Sequence, residues 1–581
     1  MEPYLFCPGR KEEAEMALKI AVGGEDFVKL RRGKGYYVDK TELLFDLVET
    51  NNTVTLFTRP RRFGKTLTMR MMESFFSIFM KDYADVFEGL AILNHSEFCA
   101  EYRNRYPTVF LTLKDVEGRS FELAYDKLKT TIADVCKKLS FLAEDERTDE
   151  DDRMRFKRLK SETGTESDVQ NSLKTITRMM NAAYQKPVIL LIDEYDVPLA
   201  KAYVNGFYPQ MLDVTRGLMS TSLKTNDYLK FAVVTGCLRI PKESIFTGVN
   251  NFASYSVLDE DFSDGFGFTQ DEAAQMLASF NRSEKMETIK EWYDGYIFGN
   301  SKVFCPWDVV NYVAALMKRE NAKPRNYWEN TSGNDAIKAF FGLENVDVSD
   351  KFETLLNGGT IQETVTNALT YDQAYQSERN LWSILLMTGY VTPIQREDYV
   401  GDEGQCEVEL RIPNREIASI FQTAVADHFT ESVDESKQRE LMRALWDGDE
   451  KKASEILSDF LWQTISYLDY HEDYYHAFVA GVFKGRGGYV VSSNKGRGLG
   501  RPDLDLRDKH NRRAMIIEMK KAESEERMEY WCEEALLQIA KGQYADAMAG
   551  YKQVLCYGIA FFRKSALVKK QPSYRTGLSA H

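Results

Sequence analysis

Four absences narrow the reading before any motif does. No run of about 18 uncharged apolar residues occurs in the 581-residue chain, so no transmembrane helix is expected and no membrane partner. The first residues, MEPYLFCPGRKEEAEM, hold no basic segment followed by an apolar core, so a signal peptide is not expected either. None of the eight cysteines forms a CxxC pair; Cys7, Cys99, Cys136, Cys237, Cys305, Cys406, Cys532 and Cys556 are scattered. That pattern suits reduced thiols in a cytoplasmic protein, not a disulfide frame or a zinc site. Six histidines, also dispersed, are too few for a His-rich metal centre.

What is present suits several globular domains: 43% hydrophobic and 28% charged residues in a chain too long for one core. The net charge of −14 argues against a polyanionic partner, but it is unevenly spread. Residues 471–581 hold 19 Lys and Arg against 13 Asp and Glu, a surplus of six, which leaves −20 for the rest of a −14 chain. Any contact with nucleic acid is therefore expected near the C-terminus.

Four strand-like runs mark the first 240 residues: Thr53–Thr58, Thr108–Leu113, Val188–Asp193 and Lys230–Thr235. Helical or charged segments separate them, as in an α/β domain with a mainly parallel sheet. The charge-dense stretch Glu144–Glu162 reads as an exposed helix or a mobile insertion. Residues 265–465 are helix-rich. Leu381–Thr388 reads as a helix stopped by Gly389. A hairpin turning near Gly401–Gly404 follows, its return strand alternating Cys406, Val408, Leu410 and Ile412, and then Asn414 as a helix cap. Helix plus two-stranded wing suggests a winged-helix-like module, although a generic α+β linker fits the same string. The last 110 residues read as a helix over Tyr470–Phe483, a Gly- and Lys/Arg-rich stretch, two strands with a turn, and a helix near Met528–Ala540.

Residues 59–66 read RPRRFGKT, between the strand Thr53–Thr58 and an apolar helix. A phosphate-binding loop needs that context, because backbone N–H groups and the helix start bind phosphate oxygens. Gly64 permits close approach, Lys65 is a point charge for the phosphates, and the Thr66 hydroxyl is a Mg²⁺ ligand. Arg61, Arg62 and Phe63 complete the loop, with both arginines candidates for phosphate contact or for bracing it. GKT alone would read the same at an ordinary helix start, and Arg59 stands where the usual pattern has its first Gly. The second element decides: KPVILLIDEYD, Lys186–Asp196, is an apolar strand ending in paired carboxylates. Asp193 is the Mg²⁺-holding candidate and Glu194 the residue that polarises the attacking water. A third strand ends in Thr235, a candidate γ-phosphate sensor expected to lie between the other two strands. Arg239 beyond it is a candidate charge stabiliser or simply a surface arginine.

These motifs, with YVDKT at Tyr37–Thr41 and TGCLRIPKESIF from Thr235, closely resemble the AAA-ATPase-like family common in bacteria. That resemblance implies ATP with Mg²⁺, and an Arg in place of the first loop Gly. FGFT at Phe266–Thr269, WYDGYIFG at Trp292–Gly299 and YWENTSGN at Tyr327–Asn334 match as well, with aromatics and glycines that suit packing or ligand contact.

Near the C-terminus the chain reads GRPD ending at Asp503, then a strand, a turn, and AMIIEMK ending at Lys520. Adjacent strands lie about 5 Å apart, so Asp503 and Glu518 across a hairpin can share one divalent ion. Glu518 and Lys520, two apart on a strand, point to one face. Carboxylate oxygens suit Mg²⁺, whose bound water becomes a nucleophile, and Lys520 can place that water or offset charge. Glu472 is a candidate further ligand. A solvated hairpin with ordinary surface charges is the plain alternative. YH at Tyr475–His476, SN at Ser493–Asn494, GRPD, IIEMKK and QIAKGQY resemble the PD-(D/E)XK nuclease domain that often follows this ATPase type. Gln538 and Tyr544 resemble its supporting QxxxxxY element, and His476 reads as structural. Lys484, Arg486, Lys495, Arg497 and Arg501 cluster in sequence beside Asp503 as candidate phosphate-backbone contacts.

The expected fold class is therefore α/β: a P-loop NTPase parallel sheet (1–264), a helical and winged-helix-like middle region (265–465), and a small α/β restriction-endonuclease-like domain (466–581). The expected function is ATP binding and hydrolysis controlling a Mg²⁺-dependent nuclease. Its expected partner is nucleic acid, DNA first, with self-association open. The rival is a signalling or scaffold ATPase whose C-terminal fold binds without cutting.

Overall fold

The computed structural model describes residues 18–224, 226–240, 246, 251–328, 337, 349–366, 368–394, 405–432, 435–464, 472–483, 490–493, 502–508, 510–544, 548 and 550–571. The chain divides into two compact units, Met1–Lys290 with Phe298–Arg325, and Glu291–Ile297 with Asn326–His581. The stretch expected as a middle region is thus shared between them.

In the first unit five parallel strands form one sheet in the order β2-β3-β4-β1-β5. They are β1 (Val54–Thr58), β2 (Thr108–Thr112), β3 (Val188–Asp193), β4 (Leu229–Gly236) and β5 (Phe252–Tyr255). Every residue of β1 and β3 is buried, as the continuous apolar runs require when helices cover both faces. One face packs Phe57, Ile189, Leu191 and Phe231 against Met69, Met72, Phe75 and Phe76 of the helix Lys65–Phe76. Burying each such side chain contributes about 1.5–3 kcal/mol, which fixes that helix, and the loop before it, against the sheet. Parallel strands bring the C-terminal ends of β1, β3 and β4 to one edge, with β4 between the other two. Two short strands, β6 (Tyr296–Phe298) and β7 (Ser301–Val303), follow.

The charge-dense stretch is a docked helix, Glu150–Lys160, rather than a mobile insertion. Asp149 caps it by accepting from the amides of Asp151 and Asp152. Phe156 and Leu159 are buried, Arg178 pairs with Asp152, and Arg155 and Arg158 both donate to Asp168.

In the second unit the helix Glu378–Thr388 stops at Gly389, and Asn414 Oδ1 accepts from Ile417 N at 3.0 Å to cap the helix Arg415–Ser432. The wing differs from expectation. β8 (Ile361–Thr366), β9 (Thr392–Pro393) and β10 (Gln405–Arg411) form a sheet in the order β8-β10-β9. β10 pairs antiparallel over six residues with β8 and over only two with β9. Alternation showed that Cys406–Ile412 is a strand but not that its main partner lies upstream of the helix. The turn expected at 401–404 lies outside the described residues.

The C-terminal sheet has five strands in sequence order: β11 (Val490–Ser493), β12 (Leu504–Asp508), β13 (Arg513–Lys521), β14 (Gln553–Phe562) and β15 (Ser565–Lys570). All neighbours are antiparallel except β13 and β14, which are parallel and joined through the helix Met528–Lys541. Leu504, Leu506, Met515, Ile517 and Met519 pack with Leu457, Phe460, Phe478 and Val482 of two helices, Glu450–Thr464 and Glu472–Phe483, on one face. Ala514 and Ile516 pack with Ile539 and Tyr544 on the other. Strand alternation therefore places Glu518 and Lys520 on the face of the helix Met528–Lys541. Among the described residues no helix is long and apolar enough to cross a membrane.

Candidate functional site

The loop after β1 turns into its helix at Gly64, whose backbone is left-handed (φ +86°) with nothing within 4 Å of where a Cβ would stand. Lys65 is buried beneath this loop. Its Nζ donates to Arg59 O and Pro60 O, both at 3.1 Å, and lies 3.6 Å from Cys237 Sγ and 3.4 Å from Glu194 Oε1. Burial opposes the ammonium charge, but the Cys237 sulfur and the carboxylates of Glu194, Asp196 and Asp193 outweigh it and hold Lys65 above its ordinary pKa. Burial likewise pushes the Cys237 thiol up to about 11.

Arg59 points away from this site into the fold. It is fully buried, donating to Thr58 O at 3.0 Å, Tyr255 O at 2.9 Å and Phe262 O at 3.0 Å. Its guanidinium lies 5.3 Å from the Phe266 ring and 5.5 Å from the Phe298 ring. Burial pulls its pKa down to about 10. The residue in the usual glycine position thus ties the loop to the end of β5 and to the chain beyond.

Asp193, at the end of β3, is the hub of the sheet edge. Its Oδ2 accepts from Thr66 Oγ1 at 2.9 Å and from Thr112 Oγ1 at 3.3 Å; its Oδ1 accepts from Thr235 Oγ1 at 2.7 Å. Burial first, and Glu194 second, raise its pKa above the ordinary value, while the hydroxyl donors and Lys65 act the other way. Glu194 has a left-handed backbone (φ +55°), an uncommon conformation outside glycine that costs on the order of 1 kcal/mol or more and turns its side chain toward Lys65.

Thr66, Asp193, Glu194, Lys65 and Thr235 are therefore brought together. Phe63 is placed otherwise: its ring is buried 4.9 Å from that of Phe298, so only its backbone can face a ligand. Arg62 lies over the Trp307 ring at 4.8 Å. The charge of Arg61 acts on Cys237, which puts it near the Lys65 side of the loop. Arg239 is half-buried in the segment after β4. Sequence reading missed what holds that segment. Asp196 Oδ2 accepts from the amides of Cys237 and Leu238, each at 3.0 Å. Tyr195 Oη donates to Leu238 O at 2.7 Å and accepts from Ile240 N at 3.0 Å. The signal was the DEYD string itself, whose third and fourth residues received no role.

In the C-terminal sheet Asp503 and Glu518 meet across β12 and β13. Asp503 N donates to Glu518 Oε2 at 3.1 Å, and Asp503 Oδ2 accepts from Met519 N at 2.9 Å. Gln538 Nε2 donates to Glu518 Oε1. The helix carrying Gln538 comes this close because residue 558, beside Glu518 on β14, is glycine. A Cβ there would lie 2.3 Å from Cys532 O. Burial first, then the Glu518 charge, raise the Tyr544 phenol, which also bonds Gln538. Lys520 is half-buried, and its charge also acts on that phenol. His476 Nε2 bonds Asp503 O at 3.1 Å, a bracing contact. Glu472 begins the helix Glu472–Phe483, but its side chain lies outside the described residues, as do Lys484, Arg486, Lys495, Arg497 and Arg501. Among the described residues no group of three or more His, Cys, Asp or Glu forms a metal cluster, and this site shows two carboxylates.

Both oxygen sets fit hard divalent ions, Thr66 with Asp193 and Asp503 with Glu518. The open space at Gly64 beside the helix start fits a phosphate chain.

Two family models match. Residues 21–246 match "Predicted AAA-ATPase" and residues 470–571 match "PD-(D/E)XK nuclease superfamily". An uncharacterized protein in the vnfD 5' region of Azotobacter chroococcum mcd 1 is 26% identical over 375 residues, 61% of this chain and 63% of that protein. The match thus spans under two thirds of the relative's length. No solved structure matches. The chain joins an AAA-ATPase-like domain to a C-terminal domain of the PD-(D/E)XK nuclease superfamily.

Proposed function

We propose that the N-terminal domain binds and hydrolyses ATP with Mg²⁺, and that this controls Mg²⁺-dependent cleavage of nucleic-acid phosphodiesters, DNA first, by the C-terminal domain in the cytoplasm. One observation carries the reading. Thr66 and Asp193, remote in sequence, meet near Lys65, and Asp503 and Glu518 meet across two strands, their charges and that of Lys520 all acting on the Tyr544 phenol. Bound Mg²⁺ supplies an acidified water and charge for phosphate oxygens.

This chain's own groups do the rest. Amide N–H groups of residues 61–66, at the end of the loop and the helix start, bind phosphate oxygens. Lys65 exchanges the Arg59 and Pro60 carbonyls and its ion pair with Glu194 for those oxygens, which frees Glu194 to accept a proton from the attacking water. Thr235 and Thr112 keep the Asp193 carboxylate oriented. In the C-terminal domain Gln538 fixes Glu518, the Met519 amide fixes Asp503, and Lys520 positions water or offsets developing charge.

A plasmid-nicking assay with Mg²⁺, with and without ATP, tests the cleavage. Cutting is expected to be lost in Lys520→Ala and kept in the exposed control Lys552→Ala. No cutting of DNA or RNA in either nucleotide state contradicts it and favours the scaffold.

A further inference from the structure

A cluster that the acid pair does not use lies at the same end of the C-terminal sheet. The helix Glu450–Thr464 runs along β15 in step with it. Val568 N donates to Ser454 Oγ and Ala566 N to Ser458 Oγ, both at 2.9 Å. Four helical residues advance about 6 Å and two strand residues about 6.6 Å, so the match repeats. The next turn brings Trp462 level with residue 564, and Lys564 Nζ indeed lies 4.8 Å from the Trp462 ring centre. Leu457, Phe460 and Leu461 of that helix already fill the core, whereas the indole is 57% exposed. Arg563, at the exposed tip between β14 and β15, holds its guanidinium 5.2 Å from the Phe562 ring.

This tip adjoins the acid pair. β13 and β14 run parallel with Lys520 opposite Ala560 and Lys521 opposite Phe561. Residue 563 is thus two residues further along, about 7 Å. One helical turn ties both places: Tyr475 Oη bonds Arg563 O at 2.8 Å, and the next residue, His476, bonds Asp503 O.

We propose that Trp462, with Arg563 and Lys564, is a stacking site for an unpaired base of a strand whose backbone passes Lys520 and Lys521. The inference rests on the C-terminal domain acting on nucleic acid. Singly exposed aromatics are common. This one lies beside the Lys564 cation, with Arg563 next along the chain, within a few nucleotide lengths of the acid pair. Any base offers a π-face to an indole, and cations beside it take the phosphates. A closed duplex hides those faces, so the substrate class is single-stranded or locally opened nucleic acid.

The test uses the full chain and a fluorescein-labelled oligothymidine, with a duplex for comparison, by anisotropy in EDTA. Trp462→Ala is expected to weaken oligothymidine binding about 5- to 100-fold and to leave the duplex nearly unchanged. Trp462→Phe, which still stacks, keeps most of the affinity and guards against misfolding as the cause. Lys564→Ala lowers the salt slope by about 0.7. Equal oligothymidine affinity of Trp462→Ala and wild type overturns the proposal, as does equal loss on both substrates or equal loss in the Ala and Phe variants. Cleavage with Mg²⁺ is read separately. Stacking without cutting leaves this inference standing and the nuclease reading fallen; cutting with unchanged binding in Trp462→Ala does the reverse.

Discussion

Arg59→Gly installs the residue that phosphate-binding loops usually carry at this position, and the structure predicts damage rather than repair. The substitution removes three hydrogen bonds from a charged donor to Thr58 O, Tyr255 O and Phe262 O, and two ring contacts. Charged-donor bonds contribute about 1.5–3 kcal/mol each, so the gross loss is about 5–9 kcal/mol before the rings are counted. Against that stands the cost of burying the charge. The fall of the pKa from 12.5 to about 10 puts it at ~3 kcal/mol. The net expectation is a destabilisation of about 2–6 kcal/mol, concentrated where Arg59 joins β5 and residue 262 to the loop. Peptide-resolved hydrogen exchange over 252–268, with urea unfolding of the same protein, reads this directly. Protection there should fall by more than an order of magnitude, about 1.4 kcal/mol for each factor of ten, and ATP affinity should not improve. Protection within about 1 kcal/mol of wild type, or tighter ATP binding, would mean that Arg59 is not a structural tie.

Glu194→Gln should retain ATP binding and lower turnover about 10²- to 10⁴-fold, seen by phosphate release beside nucleotide titration. Unchanged turnover would remove Glu194 from the chemistry. Burial and Glu194 raise the Asp193 pKa, and a divalent ion needs the ionised form. Mg²⁺-dependent nucleotide affinity should therefore decline on acidification at a higher pH than an ordinary carboxylate gives. Thr235→Val removes a donor to the ionised form and should move that decline higher still, in titrations from about pH 4 to about pH 7. Gln538→Ala leaves Glu518 Oε1 without its amide donor, and the Mg²⁺ requirement for cleavage should rise about 10- to 100-fold.

The sequence carried the parallel sheet well, because strands covered on both faces are written as unbroken apolar runs such as Val188–Ile192. Position followed too: β4 lies between β1 and β3 as the paired motifs imply, and Gly389 and Asn414 end and begin helices through local backbone chemistry. Long-range pairing was not legible. Nothing in the alternation of Cys406–Ile412 names Ile361–Thr366 as its partner, and β11, β14 and β15 add three strands to a sheet read as a hairpin. At the sheet edge, motifs supplied residue types and spacing but not direction. Phe63 packs inward, Arg59 serves the fold, and Asp196 and Tyr195 hold the 237–240 segment. Those roles depend on which groups burial leaves needing a partner, which only tertiary packing decides.

The proposed control of the phosphodiester site by the nucleotide site is read from single-turnover plasmid cleavage in Mg²⁺. Wild type is measured with and without ATP, beside Lys65→Ala with ATP. The cleavage rate should change with ATP in wild type and not in Lys65→Ala. Equal rates in all three, with ATP hydrolysis by wild type confirmed in the same samples, would contradict it.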